Sequence, residues 1–213
     1  MPGASLLPVA LHKGKLYFLF GKENPMENSA KGFSDFGGGI ESGESAFETA
    51  IREGSEELTG FLGTSTQLKS HIQSHGGCYV YKHTDIDDPN RHYTVHIIHY
   101  PYDPMLPMYY NNNHHFLWNR MNKRMLNSSK LFEKIEIKWI CEDDLDKHMS
   151  EYRPFYRDIV KNLVSELPPI KQFVKQCNKK GRKTVAKRSK SNSTLRRRGS
   201  RRWLGSRRWL GGR

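Results

Sequence analysis

Apolar residues in the N-terminal part of the chain occur in short runs that predict β-strands. Residues 6–12 and 15–20 are apolar and are separated by Lys13-Gly14, a pattern typical of a β-hairpin. Residues 21–31 are polar and contain a proline, so we expect a loop there. A short extended segment is expected at residues 33–36, just before a run of glycines.

The clearest helical pattern begins near residues 43–45 and runs to about residue 58. Small and apolar side chains recur in it at helical spacing and form one face, namely Phe47, Ala50, Ile51, Gly54 and Leu58.

The rest of the chain mixes strand-like and helical patterns. We expect strands at residues 78–81, 93–100 and 136–140, a turn-rich connection at 84–91, and helices at 141–149 and 154–165. Residues 101–129 show no regular pattern, and a loop of that length is usually functional or mobile. Pro168-Pro169 is expected to end the domain. This order predicts an α+β fold in residues 1–170, followed by a tail at 171–213.

The basic charge is concentrated near the C-terminus. The 213 residues contain 35 Lys and Arg against 22 Asp and Glu, a formal net charge of +13. Residues 178–213 hold 15 of these basic residues and none of the acidic ones, which leaves 20 basic and 22 acidic residues in 1–177. The chain therefore combines a mildly acidic body with a strongly basic tail.

The tail contains the sequence Ser-Arg-Arg-Trp-Leu-Gly twice, at residues 200–205 and 206–211. Blocks of like charge with Gly and Ser are typical of disordered segments. Arginine pairs beside tryptophan suit RNA phosphates and bases. The same composition also suits an anionic membrane surface, a nuclear localisation signal or a solvated tail without a specific partner.

Composition excludes several classes of protein. No apolar run approaches the roughly 18–20 residues that span a bilayer, and the N-terminus lacks the features of a signal peptide. Cys78, Cys141 and Cys177 are far apart and odd in number, which argues against a disulfide framework or a zinc site. An intracellular, cytoplasmic location fits best. The sequence leaves the oligomeric state open.

Acidic residues are concentrated in and just before the predicted helix. Residues three and four apart are neighbours on a helix, so Glu53, Glu56 and Glu57 share one face. Carboxylates this close repel one another unless a cation lies among them, and oxygen ligands favour Mg²⁺ or Mn²⁺. Arg52 lies four residues from both Glu48 and Glu56 and can hold the acids in place. The alternative is an exposed charged face, although such a face usually carries opposite charges at this spacing.

The glycine-rich turn before the helix, Gly37-Gly38-Gly39, lets backbone groups approach a ligand closely. It also presents the amides of a helix N-terminus to an anion. We therefore expect these glycines to border the substrate.

Together these residues resemble the Nudix box, G-x5-E-x7-R-E-U-x-E-E-x-G-U, in which U is a bulky aliphatic residue. Gly38, Glu44 and the segment 52–57 match it at every charged position. Two positions depart from it: Gly54 replaces the aliphatic residue, and the terminal pair is displaced to read Thr59-Gly60. Neither departure changes a charged group, and Gly54 is expected to permit close packing on the sheet. Residues 34–63 also resemble Nudix proteins encoded by large DNA viruses of eukaryotes.

The Nudix resemblance implies an α/β/α sandwich with a mixed sheet. It also implies metal-dependent hydrolysis of a nucleoside diphosphate linked to a further group, X. By position, Glu53, Glu56 and Glu57 would ligate Mg²⁺ or Mn²⁺, and the Gly38 carbonyl would be a backbone ligand. Arg52 would orient Glu53. Glu44 would contact Arg52 without binding the metal itself, and it would lie near the substrate.

Many family members use a further glutamate outside the box as a base or metal ligand. Glu133 and Glu136 are the candidates here, and the sequence does not rank them. Both also fit ordinary surface acids before a strand. His114-His115 fits a polar loop better than a ligand pair, and Tyr79, Tyr81, Tyr93 and Tyr100 fit core packing better than base stacking.

The box leaves X unidentified. The main hypothesis is the 5′ cap of mRNA, because a basic tail suits a substrate with many phosphates. A second is a small nucleotide or an inositol pyrophosphate, which needs no such tail. A third is an RNA-binding protein with an inactive Nudix fold, against which the complete set of box acids argues.

Overall fold

The computed structural model describes residues 2–24, 31–84, 92–128 and 133–180. The turn-rich segment expected after residue 84 and the tail from residue 181 lie outside the described residues. Within the described part, no helix is long and apolar enough to cross a membrane. Cys78, Cys141 and Cys177 are free thiols, as expected.

Seven described strands form one mixed sheet. They are β1 (Gly3–His12), β2 (Lys15–Glu23), β3 (Phe33–Ser34), β4 (Phe36–Gly39), β5 (Tyr79–Thr84), β6 (His92–His99) and β7 (Lys134–Cys141). β1 and β6 run parallel, and every other pairing is antiparallel. The hairpin turn at Lys13-Gly14 is confirmed, and both residues have positive φ, 48° and 81°.

The first two strands separate along their length, and this separation creates room for the site. β1 pairs with β2 only near the hairpin, through residues 9–12 and 15–18. Further from the hairpin, β1 pairs with β4 while β2 pairs with β3 and β7. The glycine-rich β4 therefore lies at the same end of the sheet as the end of β2 and the start of β7.

Helices cover both faces of the sheet, so the predicted three-layer arrangement is confirmed. The helices are α1 (Ala46–Glu57), α2 (Ser65–His75), α3 (Leu106–Arg120), α4 (Lys123–Ser128), α5 (Tyr156–Ser165) and α6 (residues 167–180). One apolar core joins α1, α2 and α3 to the sheet through residues such as Ile51, Ile72 and Tyr110. The other joins α5 and α6 to the opposite face through residues such as Ile159 and Val174.

Two expectations about elements were wrong. Residues 101–129 contain α3 and α4 rather than a loop, because Leu106, Tyr110 and His114 lie four residues apart and are all buried. β2 continues to Glu23 rather than ending at residue 20. The short helix expected at residues 141–149 is observed as two 3₁₀ helices, Glu142–Asp144 and Asp146–Glu151.

The packed body also continues beyond residue 170. Pro168-Pro169 lies in the first turn of α6, where the missing N–H groups would have no helical partner anyway. Val174 and Cys177, later in α6, are buried. The body therefore extends to at least residue 180.

Both departures from the Nudix consensus have a structural consequence, one within α1 and one just after it. A Cβ on Gly54 would lie 2.5 Å from Cδ2 and 2.9 Å from Cβ of Leu6, so the glycine lets α1 approach β1 closely. Thr59 has a φ of 48°, a left-handed conformation that is strained for a β-branched residue. Its hydroxyl has no hydrogen-bond partner among the described residues.

We predict that Thr59→Gly stabilises the protein. Removal of the side chain relieves left-handed strain of about 1–2 kcal/mol, and the entropy of glycine in the unfolded chain offsets about 0.5–1 kcal/mol of that gain. The free energy of unfolding in urea should rise by about 0.5–1 kcal/mol. Ser70→Gly, at an exposed site inside α2, should lower it by about 0.5 kcal/mol. Destabilisation by both substitutions would contradict the strain at Thr59.

Candidate metal centre

The start of α1 is fixed by a capping box that uses one of the predicted acids. The Ser45 hydroxyl accepts a hydrogen bond from the Glu48 amide, and the Glu48 carboxylate accepts one from the Ser45 amide at 3.0 Å. These hydrogen bonds lower the pKa of Glu48. Glu48 therefore stabilises the N-terminus of α1 rather than pairing with Arg52.

Arg52 forms ion pairs with an acid that precedes α1 and with acids near the end of α1. Its Nε donates to Glu44 Oε1 at 2.8 Å, and its Nη1 donates to Glu53 Oε1 at 2.7 Å. The Nη1 atom also lies 3.5 Å from Glu56 Oε2. The hydrogen bonds from Arg52, followed by one from Thr49, lower the pKa of Glu44 to about 2. Glu44 thus stays ionised and holds Arg52 in place beside Glu53.

Three carboxylates converge at the end of the sheet where β1 and β2 separate. Oxygen atoms of Glu53, Glu57 and Glu133 all lie within 4.8 Å of one another. Glu56 is not in this group: its side chain is 39% exposed, against 11% for Glu53 and 5% for Glu57. The structure therefore brings together two of the three box glutamates and one glutamate from outside the box.

The structure separates the two candidates outside the box. Glu133 precedes β7 and lies in the cluster, whereas Glu136 lies within β7 and pairs with Lys22, 3.4 Å between Nζ and Oε2. The Lys22 ammonium in turn lies over the ring of Phe33, which belongs to the core on the α5 side of the sheet. Glu136 therefore faces away from α1 and the cluster.

Each glycine before the helix has a different environment. A Cβ on Gly38 would lie 2.4 Å from Glu53 Oε1, so the glycine makes room for that carboxylate. A Cβ on Gly37 would meet Ser5 of β1 at 2.3 Å, while one on Gly39 would meet nothing within 4 Å. The Gly38 carbonyl oxygen lies against Gly3 of β1. Its role as a metal ligand stays a prediction.

A buried lysine that sequence reasoning missed lies directly behind the cluster. Lys134 is fully buried at the start of β7, and its ammonium contacts the carboxylate of Glu23 and lies 3.3 Å from Glu57 Oε1. It also donates to the Ser34 hydroxyl at 3.2 Å. Glu23 accepts a second charged contact from Arg153 Nη1 at 2.6 Å. We call Lys134, Glu23, Glu57 and Arg153 the buried ion network.

Within this network, burial and the neighbouring charges shift the pKa values of Glu57 and Lys134 in opposite directions. Burial raises the pKa of Glu57 well above its ordinary value, and the ammonium of Lys134 counteracts part of that rise. Burial alone would lower the pKa of Lys134, but Glu57 and Glu23 outweigh it and raise the pKa. Lys134 therefore stays charged.

The chemistry of these residues fits a hard divalent cation. Glu57 Oε2 is buried and has no hydrogen-bond partner among the described residues, although buried polar atoms are nearly always satisfied. The cluster offers only carboxylate oxygens, which Mg²⁺ and Mn²⁺ prefer over softer metals. A cation held there would offset the repulsion that Lys134 leaves uncompensated.

His114 and His115 lie on the helix α3 rather than in a polar loop. His114 is buried, and its ring stacks on Tyr110 with centroids 3.8 Å apart, whereas His115 is exposed. Packing against the cores is confirmed for the four strand tyrosines, Tyr79, Tyr81, Tyr93 and Tyr100.

The fold is similar to solved Nudix structures that share little sequence with this chain. The Nudix hydrolase RenU from M. smegmatis has a TM-score of 0.45 and 14% identity, over 80% of this chain and 88% of its own. A C. elegans Ap4A hydrolase in a binary complex has a TM-score of 0.43 and 15% identity, over 79% of this chain and 98% of its own. A mutT/nudix family protein from Listeria innocua has a TM-score of 0.44 and 14% identity, over 79% of this chain and 94% of its own. No family model and no curated protein sequence matches the chain.

We predict that Lys134→Met destabilises the protein strongly. The substitution leaves Glu57 and Glu23 buried without the ammonium between them, and loss of one partner from a buried pair costs about 3–5 kcal/mol. Lys138→Met, which removes a partly exposed pair with Glu151, should cost at most about 1 kcal/mol. The free energy of unfolding in urea measures both. Equal small losses would show that the buried ion network does not stabilise the fold.

Proposed function

We propose that this chain is a divalent-metal-dependent hydrolase of the Nudix type, which cleaves a diphosphate linkage in a nucleoside diphosphate–X substrate. The observation that carries the proposal is the convergence of Glu53, Glu57 and Glu133 within 4.8 Å. The box spacing alone predicts acids on one helix face. The addition of a third acid from another part of the chain supports a binding site over an exposed charged face.

In this proposal Glu53, Glu57 and Glu133 hold Mg²⁺ or Mn²⁺, with Glu56 at the solvent side of the same helix turn. Arg52, fixed by Glu44, keeps Glu53 oriented toward the cluster. Lys134 keeps Glu57 in place from behind. When bound, a divalent cation supplies neutralisation of the phosphate oxygens and a lowered pKa for a coordinated water.

The residues of this chain contribute to catalysis by positioning groups and by supplying charge. Gly38 leaves the space that the Glu53 carboxylate occupies. Gly39, where an added Cβ would meet nothing within 4 Å, leaves an open approach for a diphosphate group in front of α1, whereas Gly37 is packed against Ser5 of β1. Hydrolysis adds water across one P–O–P linkage and releases two phosphate-bearing products, and its acceleration depends mainly on orientation and electrostatics.

For the substrate, we propose the 5′ cap of mRNA. The support is the sequence after residue 180, which contains 13 of the 35 basic residues and no acidic residue. A long RNA offers many phosphates to such a segment, whereas a free nucleotide offers few. We further propose that the protein acts inside the cell, in the host cytoplasm if its resemblance to viral proteins reflects its origin.

We predict that Glu133→Gln and Glu136→Gln have different effects. If Glu133 is a metal ligand, its substitution should lower Mg²⁺- or Mn²⁺-dependent hydrolysis by about 100-fold or more, since even outer residues of metal sites cost about 10–100-fold. Glu136→Gln should stay within about twofold of the wild type because Glu136 lies outside the cluster. The assay compares capped RNA with dinucleoside polyphosphates and inositol pyrophosphates, with a chelator as the metal-free control.

Two outcomes of this assay would count against the proposal. Equal loss in both variants would remove the special role of Glu133. Absence of hydrolysis by the wild type on every substrate, with retained RNA binding, would favour an inactive Nudix fold.

We predict that removal of residues 181–213 affects hydrolysis of long RNA substrates much more than hydrolysis of small diphosphates. Release of the cap from long RNA should fall steeply, while turnover of a small diphosphate should change little. The deletion begins after residue 180 because Cys177 is buried and the described helix ends there. In the intact protein, raised salt should weaken activity on long RNA, since each phosphate contact contributes about −0.7 to the slope of log affinity against log salt.

The control for this deletion is a chain of full length in which the Lys and Arg residues of 181–213 are replaced by Gln. It should behave like the deletion if charge is what matters. Full activity of either variant on long capped RNA would remove the role assigned to the tail.

A further inference from the structure

Four rings gather at the hairpin end of the sheet, opposite the carboxylate cluster. They belong to His12, Tyr17, Tyr102 and Trp139, which we call the aromatic cluster. The Tyr102 ring stacks on His12 with centroids 4.4 Å apart and lies 4.7 Å from Tyr17 and 5.6 Å from Trp139. All four side chains are only partly buried. The planes of neighbouring rings are tilted by 27° to 74° relative to one another, so the cluster offers separate ring faces rather than one flat surface.

The backbone holds these rings in fixed positions. Tyr17 and Trp139 lie on the paired strands β2 and β7, opposite Cys141 and Leu19, so their side chains project from the same face. The Trp139 Nε1 atom donates to the carbonyl of Asp103 at 2.9 Å, which ties the ring to the segment that carries Tyr102. A preorganised ring loses little conformational entropy when a ligand binds.

The aromatic cluster borders an open cavity of about 490 Å³ that also carries three lysines. This volume lies within the range of small-ligand sites, about 300–1,000 Å³. Lys15 contacts Asp143, and Lys147 lies 2.5 Å from Asp144, but both pairs are exposed and such pairs contribute little. Lys13, exposed in the hairpin turn, forms no ion pair with the described residues. These ammonium groups are therefore accessible to a phosphate.

The basic tail is attached at this same end of the sheet. Asn178 of α6 lies near His99, the last residue of β6, and Lys180 packs against Gly76. Because β6 runs parallel to β1 with His99 opposite Val9, this point lies close to the end of β1 at His12. The 13 basic residues after residue 180 therefore follow from the end that carries the aromatic cluster.

This end is too far from the carboxylates to be part of that site. Gly38 lies opposite Ala4 on β1, and His12 lies eight residues further along the strand. At about 3.3 Å per residue, the separation is about 26 Å. A mononucleotide in contact with the carboxylate cluster does not reach the aromatic cluster.

We propose that the aromatic cluster and its cavity form a second site, which binds unpaired nucleotides of a single-stranded nucleic acid. A base stacks on one of the rings that line the cavity, Tyr17, Trp139 or His12, and the adjoining phosphates lie beside Lys13, Lys15 and Lys147. Stacking on exposed aromatic rings next to lysines is how proteins bind single strands with little sequence preference. The site does not depend on the hydrolytic activity proposed above.

The test is a binding measurement on the full-length protein with metal removed by a chelator, so that no hydrolysis occurs. The probe is a fluorescently labelled 12-mer of uridylate, and a thymidylate 12-mer of the same length distinguishes RNA from DNA. Trp139→Leu should weaken binding about tenfold, in the range of one lost stacking contact. Lys13→Glu, in an exposed turn where folding is not at stake, should weaken binding severalfold.

Matched controls lie elsewhere on the surface. Phe116→Leu removes an exposed ring that has Arg120 over it, and Lys161→Glu reverses an exposed charge on α5. Both should stay within twofold of the wild type. The effect of Trp139→Leu should persist as salt is raised, because stacking is less sensitive to salt than contacts with the tail.

The position of the nucleic acid is read by cross-linking of a 12-mer that contains 4-thiouridine. Cross-links to peptides with residues 12–17 or Trp139 are expected. Cross-links confined to residues 181–213, or wild-type binding by both Trp139→Leu and Lys13→Glu, would overturn the proposal. Tighter binding by Trp139→Leu would also overturn it, since it would indicate that the protein's own tail occupies the rings.

Discussion

The buried ammonium of Lys134 is the interaction on which the candidate site depends. It lies between Glu23 at the end of β2 and Glu57 at the end of α1, and Arg153 adds a second cation that contacts the same oxygen of Glu23, Oε1. Carboxylates taken out of water repel one another strongly unless a positive charge is built in among them. Without Lys134, the fold would have to expose Glu57 or keep it neutral. The lysine therefore allows a carboxylate cluster to exist at a buried end of the sheet.

The shape of the sheet and the glycines of the motif determine where these charges meet. Because β1 and β2 separate, β4 enters beside β1 and β7 begins beside the end of β2. Gly54 then lets α1 approach Leu6, and Gly38 accommodates the carboxylate of Glu53. A bulkier residue at either position would move the helix or the carboxylate away from Glu133. The missing aliphatic residue of the motif is thus a difference in packing, and the charges keep their positions.

Local patterns predicted the parts of the molecule that local forces determine. The hairpin turn and α1 have clear signals in sequence, and the spacing of Glu53, Glu56 and Glu57 placed them on one helix face. Glu23 and Lys134 had no such signal, because their partners lie about a hundred residues away along the chain. The ranking of Glu133 above Glu136 depends on which side of β7 faces the carboxylate cluster, which is a tertiary property. In α3, the buried positions are filled by Leu, Tyr and His, so its apolar stripe was hidden among polar neighbours.

The distribution of charge gives the molecule two unlike ends. At one end, carboxylates repel a polyphosphate until a cation intervenes; at the other, lysines, aromatic rings and the attachment point of a basic segment attract one. If both proposed sites are correct, a polyanion is drawn first to the hairpin end, and long-range attraction does not by itself deliver it to the carboxylates about 26 Å away. In that case, a substrate long enough to contact both ends would gain affinity at one end and be hydrolysed at the other. The net charge of +13 conceals this division, because it is the sum over a mildly acidic body and a strongly basic tail.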